Sequence, residues 1–276
     1  MASPCVVLCE AEDALFARRL AAFARAEAMR VDRKFSRYRT DSVVHALHAS
    51  AGRPFELDDE TARLIEFGAS LWRLSEGRFD LTSGVLRHAW RFDEGHCEAD
   101  PSRIPELMKR IGWQRVRWEP PFITLPEGME IDFGGIGKEY AVDRVADWAA
   151  NESDSPVLIN FGGDLRCVGA RPQNGAWKVG IESIEQFGQA ARLVELQSGA
   201  LATSGDARRS TVIEGVRYGH IFDARTGWPT PDTPRSITVA AATCSQAGSY
   251  STLAMLAGAG AEAFLDGEGV RYWCLR

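Results

Sequence analysis

Residues 131–150, IDFGGIGKEYAVDRVADWAA, set three glycines at the end of an apolar run and then enter a helical pattern over 138–150. Lys138 and Glu139 stand side by side at that helix start. A carboxylate there complements the positive end of the helix dipole, which disfavours a lysine. Phosphate together with a metal ion would give both charges a partner. Downstream, PVLINFGGDLRCVGA (156–170) reads as a buried strand broken by a double glycine. Further strands come mostly in consecutive pairs with helices between the groups. That order predicts an α+β fold, antiparallel sheets with packed helices, rather than a doubly wound sheet.

On the N-terminal side, SPCVVLCEA reads as a strand and residues 11–34 as a long helix with Leu15, Phe16, Leu20, Phe23 and Met29 near a 3.6 period. A short helix is expected to start at Asp41 or Ser42 as N-cap. A second clear helix opens at Asp58–Glu60 and closes at Gly77. WQRVRWE and FITLPEGMEID look like strands of a hairpin around Pro120–Pro121. On the C-terminal side, WKVGIES, ARLVELQSGALATSG and VRYGHIFDARTGWP read as strands. RSITVAAATCSQAGSYSTLAMLAG gives strand, turn and helix, and GVRYWCL a last strand.

At 276 residues the chain suits one domain spanning 1–276 or two closely packed halves. Its net charge of −6 argues against broad nucleic-acid binding, and no apolar run reaches the roughly 18 residues of a membrane span. MASPCVVLCEAEDALFARRL lacks a basic region before its apolar piece, a poor secretory signal, so a cytoplasmic protein is expected. The six cysteines show no CxxC pair, which predicts reduced thiols rather than disulfides or a zinc site.

Four glycine-containing turns follow apolar strands: Gly134–Gly135–Gly137, Gly162–Gly163–Asp164, Ser204–Gly205–Asp206 and Arg225–Thr226–Gly227. Glycine at a strand end lets a ligand touch the backbone closely, yet none of the four is a GxGxxG or a P-loop. His220 in RYGHIFDARTG is either a turn histidine or a general base near neutral pH. His45, His48, His88 and His96 share no metal-ligand spacing. Tyr38, between Arg37 and Arg39, is either an amphipathic helix-end residue or an aromatic lid over a planar ring.

In this order the segments resemble the FAD:protein FMN transferases, the ApbE-type family, over nearly the whole chain. DRKFSRYRTDSVVHAL looks like the family's early FS-x-Y segment, SEGRFDLTSGVL like G-x-F-D-x-T-x-G-x-L, and IDFGGIGKEYAVDRV like D-x-GGIAKGYAVD. LINFGGD, ALATSGD and GHIFDARTGWP match the GGD turn, the ATSG strand end and HI-x-D-P-x-TG-x-P. The resemblance implies a reaction: FAD is cleaved at its diphosphate, FMN is joined to a Thr or Ser hydroxyl of an acceptor flavoprotein, and AMP leaves. Mg²⁺ would bridge the phosphate oxygens.

Carried over by position, the resemblance implies that Tyr38 flanks the flavin ring and that Asp80 and Thr82 lie near the nucleotide. Lys138 and the Gly137 carbonyl form the metal-and-phosphate loop. Gly162, Gly163, Asp164, Thr203 and Ser204 hold FAD, Thr252 is a metal ligand, and His220 is the base near the acceptor hydroxyl. Two departures stand out. The family's late motif reads roughly A-D-A-x-x-T, whereas AGSYST keeps Ala247 and Thr252 but has Gly248 in place of the Asp. After the lysine the family usually has Gly, and here Glu139 stands. One reading links the two, with Glu139 supplying the missing ligand; the other leaves Glu139 as a helix-start carboxylate beside a weakened metal site. Other readings of the whole chain are an FAD-binding protein without transfer activity, an FAD pyrophosphatase giving FMN and AMP, and a scaffold with structural glycine turns.

Overall fold

Six strands make one antiparallel sheet in the computed structural model: β1 Cys5–Cys9, β2 Val157–Phe161, β3 Asp164–Val168, β4 Gly199–Gly205, β5 Ser236–Ala241 and β6 Arg271–Leu275. Their order in the sheet follows their order in the chain. The structure describes residues 3–10, 13–93, 96–169, 171, 175–207, 209–213 and 215–276, without the side chains of 93 and 96–98, so Cys97 and His96 fall outside it. The helices are α1 Ala14–Phe35, α2 Val43–Ala49, α3 Asp59–Leu74, α4 Ile104–Met108, α5 Gly137–Glu152, α6 Cys244–Leu256 and α7 Ala261–Glu268.

The alternation of β2 builds the layers. Val157, Ile159 and Phe161 face a core shared with α1, α5 and α6, while Leu158 faces the opposite side with Leu165, Trp177, Ile181 and Val194. A strand presents successive side chains to opposite faces, so both faces of this one must be covered. Helices cover the first; the hairpin of strands 177–182 and 190–196 covers the second. On β5, Ile237 and Val239 pack with Ala254, Met255 and Leu265 of α6 and α7.

The helix starts follow the sequence closely. Asp13, Ser42 and Asp58 cap α1, α2 and α3, each accepting a backbone N–H from the first turn. The expected hairpin is there, but shorter: strands 117–119 and 122–124 pair, and Trp113–Arg115 is a 3₁₀ turn instead of a strand. The segment expected as one strand into a turn divides into Val216–Gly219, Phe222–Asp223 and Trp228–Pro229. Elements not anticipated include α4, α7, strand Phe55–Glu56 beside 122–123, the hairpin of 90–93 with 96–99, and strand Ser210–Ile213, which among the described residues pairs only with Val216–Gly219. No described helix is long and apolar enough to cross a membrane. Among the described residues Cys5, Cys9, Cys167, Cys244 and Cys274 are free thiols.

Candidate active site

The β2–β3 connection is the double glycine, with φ of +63° at Gly162 and +100° at Gly163. Side chains bearing a Cβ rarely adopt that region, so the tight turn requires glycine here. It delivers Asp164 to the first position of β3, where it is 2% exposed. Lys138 Nζ lies 2.6 Å from Asp164 Oδ2, and Asp164 Oδ1 accepts the Thr203 N–H at 3.0 Å. The lysine disfavoured by its own helix start thus has a protein partner from the neighbouring turn. Both glycine amides are also engaged: Gly162 N–H donates to the Pro4 carbonyl at 2.9 Å and Gly163 N–H to Asn160 Oδ1 at 2.8 Å. The turn therefore has neither amide free for a ligand; Ser3 covers Gly162, and only Gly163 faces open space.

Glu139 follows Lys138 on α5 and is buried; its Oε2 has no hydrogen-bond partner. Burial, reinforced by the Asp164 charge, pushes its carboxyl up to about 8 against the pull of Lys138. Lys138 itself is raised, because Asp164 and Glu139 outweigh the burial that opposes its charge. Across from Glu139 stands Gly248 of α6. A Cβ at 248 would sit 2.7 Å from Glu139 Cγ and 3.2 Å from its Cδ and Oε1. One turn further along α6, Thr252 Oγ1 is 3.2 Å from Ser204 Oγ, which is 2.8 Å from Ser251 Oγ. The Thr203 hydroxyl, on an exposed residue, pairs with Thr238 Oγ1 at 2.8 Å.

Sequence reasoning missed Asp143, which fixes α5 against α6. Its carboxylate accepts the N–H groups of Cys244 and Ser245 at 2.8 Å each and pairs with Arg166 at 3.0 Å. A carboxylate at a helix N-terminus satisfies orphan donors and complements the dipole. Asp143 thereby sets the rotation of α6 that points Gly248 toward α5 and Thr252 toward Ser204 of β4. Its place one turn after Glu139 was the available signal.

Tyr38 is 76% exposed. Arg37 donates to its hydroxyl at 2.8 Å, and the guanidinium lies 5.0 Å from the ring centroid. Arg37 also pairs with Asp132, whose Oδ1 accepts the Gly134 N–H at 2.9 Å. Tyr38 is thus tied to the glycine loop that opens α5. Asp80 and Thr82 are buried and committed to backbone: Asp80 Oδ1 accepts Thr82 N–H and Oγ1–H at 2.7 Å, Asp80 Oδ2 accepts Trp113 N–H at 2.8 Å, and Thr82 Oγ1 accepts Gly112 N–H at 2.8 Å. These two side chains staple their loop to residues 112–113.

His220 is half-buried, with Nδ1 3.3 Å from the Arg209 carbonyl. A carbonyl only accepts, so that contact assigns the proton to Nδ1 and leaves the lone pair on Nε2. Burial lowers its pKa below the usual 6.5, and the Arg209 and Lys138 charges act in the same direction. At neutral pH the ring is an uncharged base. Among the described residues no cluster of three or more His, Cys, Asp or Glu could hold a metal, so a cation here would depend on mixed oxygen donors.

A family model described as the ApbE family matches residues 1–272. The FAD:protein FMN transferase of Vibrio cholerae serotype O1 is 30% identical over 239 residues, 83% of this chain and 70% of that protein. Its namesake from Chlamydia pneumoniae is 29% identical over 214 residues, 75% of this chain and 66% of that one. Among solved structures, the ApbE protein of Thermotoga maritima matches with a TM-score of 0.88 at 28% identity, covering 99% of this chain and 90% of its own. The apo flavinyl transferase ApbE of Pseudomonas stutzeri, 24% identical with a TM-score of 0.82 over 99% and 91% of the two chains, has the same fold. The chain belongs to the ApbE family.

Proposed function

We propose that this protein transfers the FMN half of FAD to a Thr or Ser hydroxyl of an acceptor flavoprotein and releases AMP, with Mg²⁺ as the cation. The observation that carries this reading is the cluster of Lys138, Asp164 and Glu139 beside Ser204 and Thr252, with the Nδ1 of His220 engaged by the Arg209 carbonyl. The acceptor oxygen would attack the FMN-side phosphorus while the bond from that phosphorus to the AMP oxygen breaks. His220 Nε2 would take the hydroxyl proton. Lys138 would steady the diphosphate, Tyr38 would carry the flavin ring, and Gly162–Gly163 with Thr203–Ser204 would line the dinucleotide.

The residues present fit a hard cation. The donors are oxygens, and the unpartnered Glu139 Oε2 is a buried atom that such an ion would satisfy. The Gly137 carbonyl, Glu139 and Thr252 would hold it, and when bound it neutralises charge on the phosphate oxygens. Incubation with FAD and Mg²⁺, with and without short peptides carrying Thr or Ser, tests the proposal. Covalent flavin on the peptide with stoichiometric AMP is expected. AMP without covalent flavin would replace transfer by hydrolysis, and absence of flavin binding would remove both.

A further inference from the structure

Strands 210–213 and 216–219 form a hairpin that, among the described residues, pairs with no other strand, and His220 follows directly from its end. A lone two-stranded hairpin is marginal in water, so something must hold it for His220 to have a fixed place. Tyr218 packs against Trp90 and Trp228, Ile213 joins the same buried cluster, and Phe92 meets the His220 ring edge-on; the charged anchor comes from the end of β4. Asp206 is 2% exposed and follows Gly205, the last residue of the central strand. Its Oδ1 accepts from Arg217 Nη1 at 2.7 Å, and Arg235 Nε lies 3.4 Å from the same oxygen. Gly219 lies flat on its side chain: a Cβ at 219 would come within 2.7 Å of Asp206 Cβ. Positions 217 and 219 share one face of their strand, so the hairpin is gripped at two successive points of that face.

The backbone completes the path. The Asp206 N–H donates to the Arg235 carbonyl at 3.0 Å, anchoring it beside β5, and its carbonyl accepts the Arg209 N–H at 3.1 Å. The Arg209 carbonyl is the group that faces His220 Nδ1. The carboxylate fixes the strand that carries His220, and the carbonyl fixes the acceptor that selects its tautomer.

We infer that Asp206 is a positioning residue that holds His220 with Nδ1 protonated and Nε2 free, through the hairpin grip and the Arg209 carbonyl. This rests on His220 as the base of the proposed reaction, but the placement of the ring can be measured without turnover. Long-range ¹⁵N spectra of the histidine-labelled protein, with His220 assigned by loss of its signals in His220→Gln, report the tautomer directly. Wild type is expected to show Nδ1–H, and Asp206→Asn a mixture of both tautomers. Arg217→Gln removes the ion pair from its more exposed partner and should give the same mixture, which serves if Asp206→Asn does not fold.

In FMN transfer to Thr-bearing peptides, both variants should lose about 10²-fold in kcat, the scale of a small misplacement of a reacting group, with KM for FAD unchanged. A pure Nδ1–H tautomer in a folded variant would overturn the inference, as would equal losses in kcat and FAD affinity. If wild type transfers no flavin, or if His220→Gln keeps full activity, the functional reading fails, and the spectra still decide the placement.

Discussion

Glu139 and Gly248 reach for the same point from two helices, so exchanging the carboxylate between them should be compensatory. Gly248→Asp alone puts a Cβ 2.7 Å from Glu139 Cγ. The clash is with the middle of a buried side chain, so overpacking should cost about 1–3 kcal/mol, a fall in Tm of roughly 2–4 °C per kcal/mol. Glu139→Ala removes a buried carboxyl whose Oε2 has no hydrogen bond, so its cation-free cost should be mainly lost packing of the Cγ methylene and the carboxyl carbon, about 1–2 kcal/mol. The larger cost should appear with the ion. One carboxylate charge about 4 Å from a divalent cation, at an effective dielectric near 20, contributes about 8 kcal/mol before dehydration of the ion. A tenfold loss of affinity, about 1.4 kcal/mol, is a conservative expectation. The double variant Glu139→Ala with Gly248→Asp clears the clash and returns a carboxylate to the same space. Mn²⁺ titration by electron paramagnetic resonance, with FAD present, together with thermal melts of all four proteins closes the cycle. Simple additivity of the two changes, or Glu139→Ala binding Mn²⁺ as wild type does, would refute the reasoning.

The pH dependence of transfer should follow His220. With its pKa held below 6.5 by burial, kcat should rise with pH along a limb whose midpoint lies below 6.5, and a rising limb centred above that value would count against the assignment. Because the folded-state pKa is the lower one, the same ring makes folding less favourable as pH falls from the unfolded value through the folded one; His220→Gln should flatten that part of the stability profile. Lys138→Met leaves Asp164 as a buried carboxylate without its cation, and should cost about 2–3 kcal/mol in urea unfolding, less than the usual 3–5 because the lysine is partly exposed. Thr82→Val strands the Gly112 N–H and should cost about 1–3 kcal/mol of stability, with the FAD Kd little changed if the residue serves only its loop. Tyr38→Ala should do the reverse, weakening FAD by about 1 kcal/mol with no shift in Tm, since the ring is exposed.

Much of the fold was legible because it is local. Apolar spacing and the caps at Ser42 and Asp58 located α2 and α3, and the double glycine at 162–163 marked the β2–β3 turn. What escaped was decided by distant partners. Trp113 reads as a strand residue, yet its N–H is taken by Asp80 from 33 positions earlier and the chain turns there as a 3₁₀ helix. Ser210–Ile213 has three β-branched residues but is too short to announce itself, and among the described residues it pairs as a strand only against Val216–Gly219, which Asp206 helps to hold in place. The eight-residue α7 has no side-chain cap to mark its start.

For the candidate site, the sequence named residues but not what each one touches, because a sequence shows charges without their partners. Lys138 and Glu139 looked equally in need of a ligand. Buried charges are paired or neutralised, and the two residues took different routes. Lys138 reaches across to Asp164, 26 positions on, and keeps its charge. Glu139 finds no cation of its own, so burial and Asp164 favour its protonated form. Asp80 and Thr82, which resembled nucleotide contacts, have their hydrogen bonds filled from within the chain. Unmet bonding capacity, rather than residue type, is therefore what points to a ligand. By that measure the orphan oxygen of Glu139 is a stronger pointer to a cation than the lysine beside it or the glycine turn opposite.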